Sequence, residues 1–165
     1  MRINNFFKLV IAIAVSESAG IIGAVLTTPA INGWYAALIK PALNPPAWVF
    51  GPVWIALYAF MGSAFFFVWK QHTYILENMS MLRVWRWAVF FFFIQLALNT
   101  LWSIIFFGLH SPGAAFVEII FLWLAILAAI ITFAKISRPA AWLLAPYILW
   151  ISFASYLNFM IWMLN

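Results

Sequence analysis

The segment WYAALIKPALNPPAWVFGPVW, residues 34–54, is the one long interval in which prolines and a lysine interrupt nearly continuous apolar sequence. Its four prolines are Pro41, Pro45, Pro46 and Pro52. Each fixes φ and removes a backbone donor, so one continuous helix is not expected here. In a chain this apolar, irregular backbone belongs at the membrane interface or over a cavity inside the protein. We therefore interpret residues 27–47 as a lid.

The composition outside this segment indicates an integral membrane protein. The chain has 165 residues, of which 68% are hydrophobic and 7% are charged, whereas a soluble domain is about half apolar and a quarter charged. We predict one domain, residues 1–165, embedded in a lipid bilayer. The net charge of +5 comes from residues near helix ends, so membrane topology accounts for it better than nucleic-acid binding does.

Five segments have the length of about 20 mostly apolar residues that a membrane-spanning helix needs. The predicted helices are residues 6–26, 49–69, 85–107, 114–134 and 140–164. A cleaved signal peptide is the alternative for the first segment, but the apolar pattern continues well past Ser16. The predicted fold is all-α and integral to the membrane: a bundle of five transmembrane helices with a proline-rich lid loop between helices 1 and 2.

The cations predict the orientation. With five spans, one side of the membrane carries seven of them: Arg2, Lys8, Lys70, Arg83, Arg86, Lys135 and Arg138. The other side carries Lys40 alone. An excess of lysine and arginine in short loops marks the cytoplasmic face. We expect a bacterial cell membrane, with the N-terminus cytoplasmic and the lid on the opposite face.

Polar residues in the third helix form one stripe. Gln95, Asn99, Trp102 and Phe106 are spaced i, i+4, i+7 and i+11, which places them on one helical face. Two carboxamides beside a tryptophan suit a mostly apolar ligand, and equally suit hydrogen bonds between helices. Two further stripes have helical spacing: Trp54 and Tyr58 in the second helix, and Tyr147, Trp150, Ala154 and Asn158 in the fifth.

The first helix carries small residues every fourth position, Ser16, Gly20 and Ala24, which favours close helix packing. Glu17, beside them, is expected to be protonated, bonded to a neighbouring helix or in contact with a ligand. Glu118 is expected either to reach the interface or to contact a ligand.

Conventional catalytic and metal chemistry has little support in the sequence. The chain contains neither aspartate nor cysteine, and the predicted topology places His72 and His110 on opposite sides of the membrane. No catalytic residue, metal site or required cofactor is therefore assigned.

Several motifs together resemble the translocator protein family, whose bacterial members are called tryptophan-rich sensory proteins. The first loop and second helix carry Trp34-Tyr35, Leu38, Lys40-Pro41, Pro45-Pro46, Trp48–Trp54 and Leu57-Tyr58. The third helix carries Asn99–Ser103 and Phe106–Gly108, and the fifth carries Pro146-Tyr147, Trp150, Ala154 and Leu157-Asn158. The resemblance covers nearly the whole chain and is weakest in the first helix and the second loop.

The resemblance implies a five-helix bundle, often dimeric, with a pocket for porphyrins and benzodiazepine-type drugs. It also implies pocket residues, carried over by motif: Tyr35, Pro45, Trp54, Asn99, Trp102, Trp150 and Ala154. Family members also bind sterols, and some break down protoporphyrin in light. The sterol-recognition pattern needs a cation after its tyrosine, and none follows Tyr156, so sterol binding at that site is doubtful.

A porphyrin as ligand also agrees with the residues themselves. A large flat ring needs aromatic walls and a few orienting polar groups. The stripes above add Tyr58 and Tyr147 to the candidate ligand-binding residues, and Lys40 is added as the one cation near anionic propionates. We expect a homodimer that senses or regulates tetrapyrroles; the alternatives are light-dependent porphyrin degradation and transport of tetrapyrroles or other lipophiles.

Overall fold

The computed structural model describes residues 4–165, except the side chain of Leu26, and within this range five helical segments could each cross a membrane. The helices are α1 (Asn5–Ile31), α2 (Trp34–Ala37), α3 (Ala47–Ile75), α4 (Met79–Ser103), α5 (Pro112–Ala134), α6 (Arg138–Leu143) and α7 (Ala145–Leu164). The α6 and α7 helices together form the fifth span. The predicted bundle of five transmembrane helices with a lid between the first two is confirmed.

The lid is shorter than predicted because α1 continues to Ile31 instead of ending at residue 26. Pro29 lies in the last turn of α1, where it removes only the bond to the carbonyl of Val25 and does not end the helix. The lid proper is residues 32–46 and includes the short helix α2.

The second loop is also shorter than predicted. The predicted second and third helices left residues 70–84 between them, but α3 extends to Ile75 and α4 begins at Met79. Lys70, Gln71, Met79 and Arg83 have high helix propensity, which favours continuation of the helices beyond their apolar stretches. The side chain of Asn78 accepts hydrogen bonds from the backbone N–H groups of Ser80 and Met81, which fixes the start of α4.

Two spans predicted as single regular helices are interrupted. The α4 helix ends at Ser103 and continues as a π-helical turn over Ile104–Gly108, closed by a hydrogen bond from the Leu109 N–H to the Ile104 carbonyl. The fifth span breaks at Leu144. Pro146 explains this break, because it has no N–H to bond the Trp142 carbonyl.

The bundle has two unlike halves. In the half far from the lid, the closed half, Gly62 of α3 lies directly against the backbone of Ala12 and Ile13 in α1. Phe65 and Phe92 stack there with ring centroids 4.1 Å apart. In the other half, the lid half, α1 and α3 enclose a space together with α4 and α7.

The cations of the described helices collect at the end of the bundle opposite the lid. Lys8, near the start of α1, places its ammonium 5.9 Å from the ring centre of Trp69, near the end of α3. The antiparallel connections bring the start of α4, the end of α5 and the start of α6 to the same end. Arg2, part of the predicted charge pattern, lies outside the described residues.

Candidate functional site: a membrane-embedded cavity

A cavity of about 530 Å³ occupies the lid half of the bundle, between α1, α3, α4 and α7. Pockets for small molecules commonly measure about 300–1,000 Å³ and are mainly apolar, with a few polar groups that orient the ligand. Tyr35 of the lid lines one end of the cavity, and Glu17, half-way along α1, lines the other.

Seven of the ten candidate ligand-binding residues line this cavity: Tyr35, Trp54, Tyr58, Asn99, Trp102, Trp150 and Ala154. They come from the lid and from three different helices.

The aromatic walls of the cavity are built from paired rings. Trp54 and Tyr58 stack with centroids 5.5 Å apart. Trp102 stacks on Phe106, which the π-helical turn carries, at 5.0 Å. Such offset contacts add about 0.5–1.5 kcal/mol to the burial of each pair. The rings are therefore held in place by their neighbours and present fixed surfaces to the cavity.

Three candidate residues do not line the cavity. The Lys40 ammonium donates hydrogen bonds to the carbonyls of Ala36 and Leu38 at 3.1 and 3.3 Å, and lies over the ring of Tyr35. Lys40 is therefore bound to the lid itself and does not line the cavity. Pro45 and Tyr147 are likewise absent from the lining.

Asn99 joins three helices at the cavity wall. The Tyr58 hydroxyl of α3 donates a hydrogen bond to Asn99 Oδ1, and Asn99 Nδ2 donates to the Tyr147 hydroxyl of α7 at 3.0 Å. Two roles were expected for Asn99, contact with a ligand and hydrogen bonding between helices. Asn99 lines the cavity, where a ligand would contact it, and its side chain also hydrogen-bonds to α3 and α7. Gln95, one turn earlier, does neither: it is buried, does not line the cavity, and makes no hydrogen bond to the residues that the structure describes.

A second pair of hydrogen bonds fixes Trp102. Its indole Nε1 donates to Asn158 Oδ1 at 2.9 Å, and Asn158 Nδ2 donates to the carbonyl of Pro112 at 2.7 Å. Asn158 is buried and lines the cavity. These bonds hold the indole plane of Trp102 at a set orientation and tie α4, α5 and α7 together.

None of the ten candidate ligand-binding residues lies on α1, although α1 provides one wall of the cavity. Of its residues, Glu17 alone had ligand contact among its expected roles. Glu17, Gly20, Ala24, Thr27 and Ile31 line the cavity at steps of three and four residues, as one helical face does. The small residues were interpreted as a packing surface. Gly20 does allow close packing, because a Cβ there would collide with the Tyr58 ring. The same stripe also borders the cavity, and its spacing in the sequence does not distinguish the two roles.

The cavity has an opening between α1 and α3. Ile21 of α1 and Ile55 of α3 line it, and both have about two thirds of their surface exposed, 66% and 63%. Trp48, at the start of α3, also lines the cavity and is 75% exposed. Ile21 and Ile55 lie within membrane-spanning segments, so this opening faces the surface that contacts lipid.

The comparisons with known proteins agree with this architecture. A model of the TspO/MBR family matches residues 12–163. The chain belongs to the TspO/MBR family. It is 40% identical to the tryptophan-rich protein TspO of Chlorobaculum tepidum, with 98% of each chain covered. It is 37% identical to the translocator protein of Ovis aries, with 87% of this chain and 83% of the relative covered. It is 36% identical to the tryptophan-rich sensory protein of Cereibacter sphaeroides, over 83% and 82%.

The lid of this TspO/MBR chain is held by its own side chains. The Tyr35 hydroxyl donates a hydrogen bond to Asn44 Oδ1 at 2.9 Å, which ties the start of the lid to its proline-rich end. Burial raises the pKa of Tyr35 above its usual value, and the bond to Asn44 partly opposes this shift. The phenol therefore stays a neutral hydrogen-bond donor at physiological pH.

The lid of the TspO/MBR chain is also anchored to the rest of the bundle. Asn165 Oδ1 accepts a hydrogen bond from the Ile39 N–H at 3.0 Å, and Asn165 Nδ2 donates to the Ile39 carbonyl at 3.1 Å. Trp34 stacks on His110 with centroids 4.5 Å apart. His110 has a φ of 52°, in the left-handed region, so the turn after α4 adopts a strained conformation where it meets the lid.

Glu118 of the TspO/MBR chain does not reach the membrane interface, which was one of its two expected positions. Its side chain is 7% exposed, and its carboxylate makes no hydrogen bond within residues 4–165. It does not line the cavity either. Glu118 lies in the second turn of α5, and α5 packs against both α4 and α7, so its side chain is buried although it is near a helix start.

Proposed function

We propose that this TspO/MBR protein binds a tetrapyrrole, or a lipophilic molecule of similar flat shape, in the cavity of the lid half. The observation that supports this most is an apolar cavity of about 530 Å³ with ordered aromatic walls, placed inside a membrane-spanning bundle and covered by a lid. A flat aromatic ligand gains free energy from burial and from ring contacts in such a site.

The position of the lid gives the proposed ligand an orientation. The apolar ring occupies the space between Trp54, Trp102 and Trp150, which all line the cavity. The anionic propionates of a porphyrin stay at the lid end, since Lys40 lies over Tyr35 there and water is near. The protein then acts as a sensor or regulator, in which occupancy of the cavity changes how the lid is held.

Titration with protoporphyrin tests this proposal. We expect quenching of tryptophan fluorescence with one saturable site in mild detergent. Trp54→Ala removes one wall of the cavity, so the dissociation constant should rise about tenfold or more. Trp142→Ala is the matched control, because Trp142 is 77% exposed and does not line the cavity. Equal affinity in both variants, each shown to be folded, would reject the cavity as the binding site.

A second function, light-dependent porphyrin degradation, is favoured by the tryptophans themselves. The indoles of Trp54 and Trp150 both line the cavity and would lie beside a bound ring. Illumination of the protein with bound protoporphyrin should then give a new absorbing product. A dark sample and the Trp54→Ala and Trp150→Ala variants are the controls. Identical spectra in light and dark would leave binding as the function.

We also propose that the N-terminus is cytoplasmic in a bacterial cell membrane and that the lid is on the opposite face. The support is the collection of lysines and arginines at the end of the bundle away from the lid. Reporter fusions after Leu76 and after Asn165 should report opposite sides of the membrane. The same side for both fusions would contradict this topology.

A homodimer is the remaining part of the proposal. The lipid-facing surfaces of the spans carry many large aromatic side chains, such as Trp87, Phe90 and Phe93, each about half exposed. Pairing of two such surfaces would bury them. Mass measurement and crosslinking in several mild detergents should give a dimer; a monomer in every detergent would count against it.

A further inference from the structure

The end of the cavity farthest from the lid, which we call the floor, consists of Glu17, Tyr58 and Asn99. All three line the cavity. Gly20, three residues after Glu17 on α1, lies against the ring of Tyr58, and Tyr58 is bonded to Asn99. The floor lies near the middle of α1 and so at membrane depth.

The hydrogen-bond donors around the floor are mostly occupied by protein partners. The Tyr58 hydroxyl gives its proton to Asn99 Oδ1, and Asn99 Nδ2 donates to Tyr147. The Trp102 N–H is bonded to Asn158. At the floor itself one N–H of Asn99 remains for a ligand, against the lone pairs of Tyr58 and the two carboxyl oxygens of Glu17. The hydroxyls of Ser103 and Thr28 also line the cavity, nearer the lid, and each can donate or accept. The floor therefore offers acceptors in excess of donors.

The charged residues of the cavity also favour a ligand that donates hydrogen bonds. Among the described lining residues Glu17 is the one acid, and no lysine, arginine or histidine is present. Within residues 4–165 its carboxyl group makes no hydrogen bond or ion pair. A carboxyl group at membrane depth is costly without a partner, and such residues usually mark a ligand or ion site. Its partner is therefore to be sought in the ligand.

We propose that Glu17 is a ligand-recognition residue that pairs with a protonated amine or another strong N–H donor of a flat apolar ligand. The cavity then prefers a cationic ligand to a neutral one of the same shape, and a neutral one to an anion. The tryptophan walls support this preference, because indole faces attract cations. The inference stands on the cavity and holds whether or not a tetrapyrrole is the natural ligand.

Three acridines of nearly equal shape test the preference. Amino-substituted acridine is a cation at neutral pH, acridine itself is neutral, and acridine carboxylate is an anion. Binding of each to the purified full chain in one uncharged detergent is followed by tryptophan quenching. A charge-assisted hydrogen bond predicts that the amino compound binds about tenfold to hundredfold more tightly than acridine. Acridine carboxylate should bind more weakly than acridine.

Glu17→Gln keeps the shape of the side chain and removes its charge. The preference for the amino compound should fall to within about threefold, while acridine affinity changes little. Glu77→Gln is the control, because it makes the same charge change in an exposed turn outside the cavity. The Glu77→Gln protein should keep the full preference.

Two results would overturn the inference. One is a wild-type protein that binds the three acridines equally, which needs no variant and so does not depend on the folding of Glu17→Gln. The other is a folded Glu17→Gln protein that keeps the preference. The tetrapyrrole proposal is tested separately, by protoporphyrin titration of the wild type and Trp54→Ala. If that proposal failed, the acridine measurements would still decide whether Glu17 gives a preference for amines.

Discussion

The closed half and the lid half of the bundle share the helices α1 and α3, which touch in the closed half and border a cavity in the lid half. In the closed half, Gly62 allows α3 to touch the backbone of α1 at Ala12 and Ile13. In the lid half, Gly51 of α3 has no atom within 4 Å of the position that a Cβ would take. The α1 and α3 helices therefore touch through their backbones in the closed half and have no such contact at Gly51 in the lid half.

The side chains between the helices also differ in the two halves. In the closed half, stacked apolar rings such as Phe65 and Phe92 fill the interior. At the border of the lid half, the hydrogen-bonded chain of Tyr58, Asn99 and Tyr147 holds three helices at a fixed distance. Hydrogen bonds between polar side chains are a common link between membrane helices. The cavity thus depends on polar links at its floor, whereas the closed half depends on packing.

The largest effect is expected from cutting that polar chain. Asn99→Leu keeps the side-chain volume but leaves the hydroxyls of Tyr58 and Tyr147 buried and unpaired. Each unpaired group costs about 1–3 kcal/mol, so the free energy of unfolding should fall by about 2–6 kcal/mol. Denaturant titration in mixed micelles measures it.

The matched control for this prediction removes the hydroxyls too. In a variant with Asn99→Leu, Tyr58→Phe and Tyr147→Phe together, no polar group remains unpaired, so most of the lost stability should return. If the triple variant were no more stable than Asn99→Leu alone, loss of packing rather than unpaired hydroxyls would explain the effect.

A smaller effect is expected from the glycine contact of the closed half. A Cβ on Gly62 would lie 2.7 Å from the backbone nitrogen of Ile13 and 2.8 Å from the carbonyl oxygen of Ala12. Because backbone atoms cannot move aside easily, Gly62→Ala should lower the free energy of unfolding by about 1–3 kcal/mol. Gly51→Ala, in open space, should be neutral or stabilising by up to about 1 kcal/mol. Equal thermal stability of the two variants would contradict the proposed difference between the halves.

The sequence predicted those features that depend on apolar length and helical spacing. The five spans followed from the length of the apolar segments. The stripe of Asn99, Trp102 and Phe106 was expected to share a face, and all three line the cavity. Gln95 belonged to the same stripe but lies outside the lining, because a helical face says nothing about where along the helix a cavity ends.

Other features required the three-dimensional structure. The stripe of Gly20 and Ala24 looks the same in sequence whether it packs on a helix or borders a cavity. Lys40 was assigned to the ligand because it is the one cation on its side, yet its ammonium is bonded to backbone carbonyls of the lid. The burial of Glu118 depends on how α7 covers α5, which no local pattern encodes.

The next smaller effect is expected in the lid, which Asn165 holds to the bundle. Asn165→Ala removes two hydrogen bonds to the backbone of Ile39. At about 0.5–1.5 kcal/mol for each bond, local opening should increase and amide exchange in the lid should quicken roughly tenfold. Hydrogen-exchange mass spectrometry of residues 34–46 measures this.

Two references make the exchange experiment specific. Asn32→Ala changes an exposed asparagine at the start of the lid whose side chain makes no hydrogen bond within the described residues, so it should leave exchange unchanged. Peptides from α3 in the closed half should exchange equally slowly in all proteins. An increase confined to α3, or none in the lid, would show that Asn165 does not hold the lid.

The smallest effect is expected from Lys40→Ala. The ammonium of Lys40 is half-exposed and already bonded to the Ala36 and Leu38 carbonyls, so it can give a ligand carboxylate only a screened attraction. We expect protoporphyrin affinity to fall by no more than about threefold at low salt, and the difference to vanish near 1 M salt, where the Debye length is about 3 Å. A porphyrin with ethyl groups in place of propionates should bind the wild type and Lys40→Ala equally. A large loss of affinity for both porphyrins would instead mean that Lys40 shapes the lid through its contact with the Tyr35 ring. The charge of Lys40 would then support the structure of the lid half rather than attract the ligand.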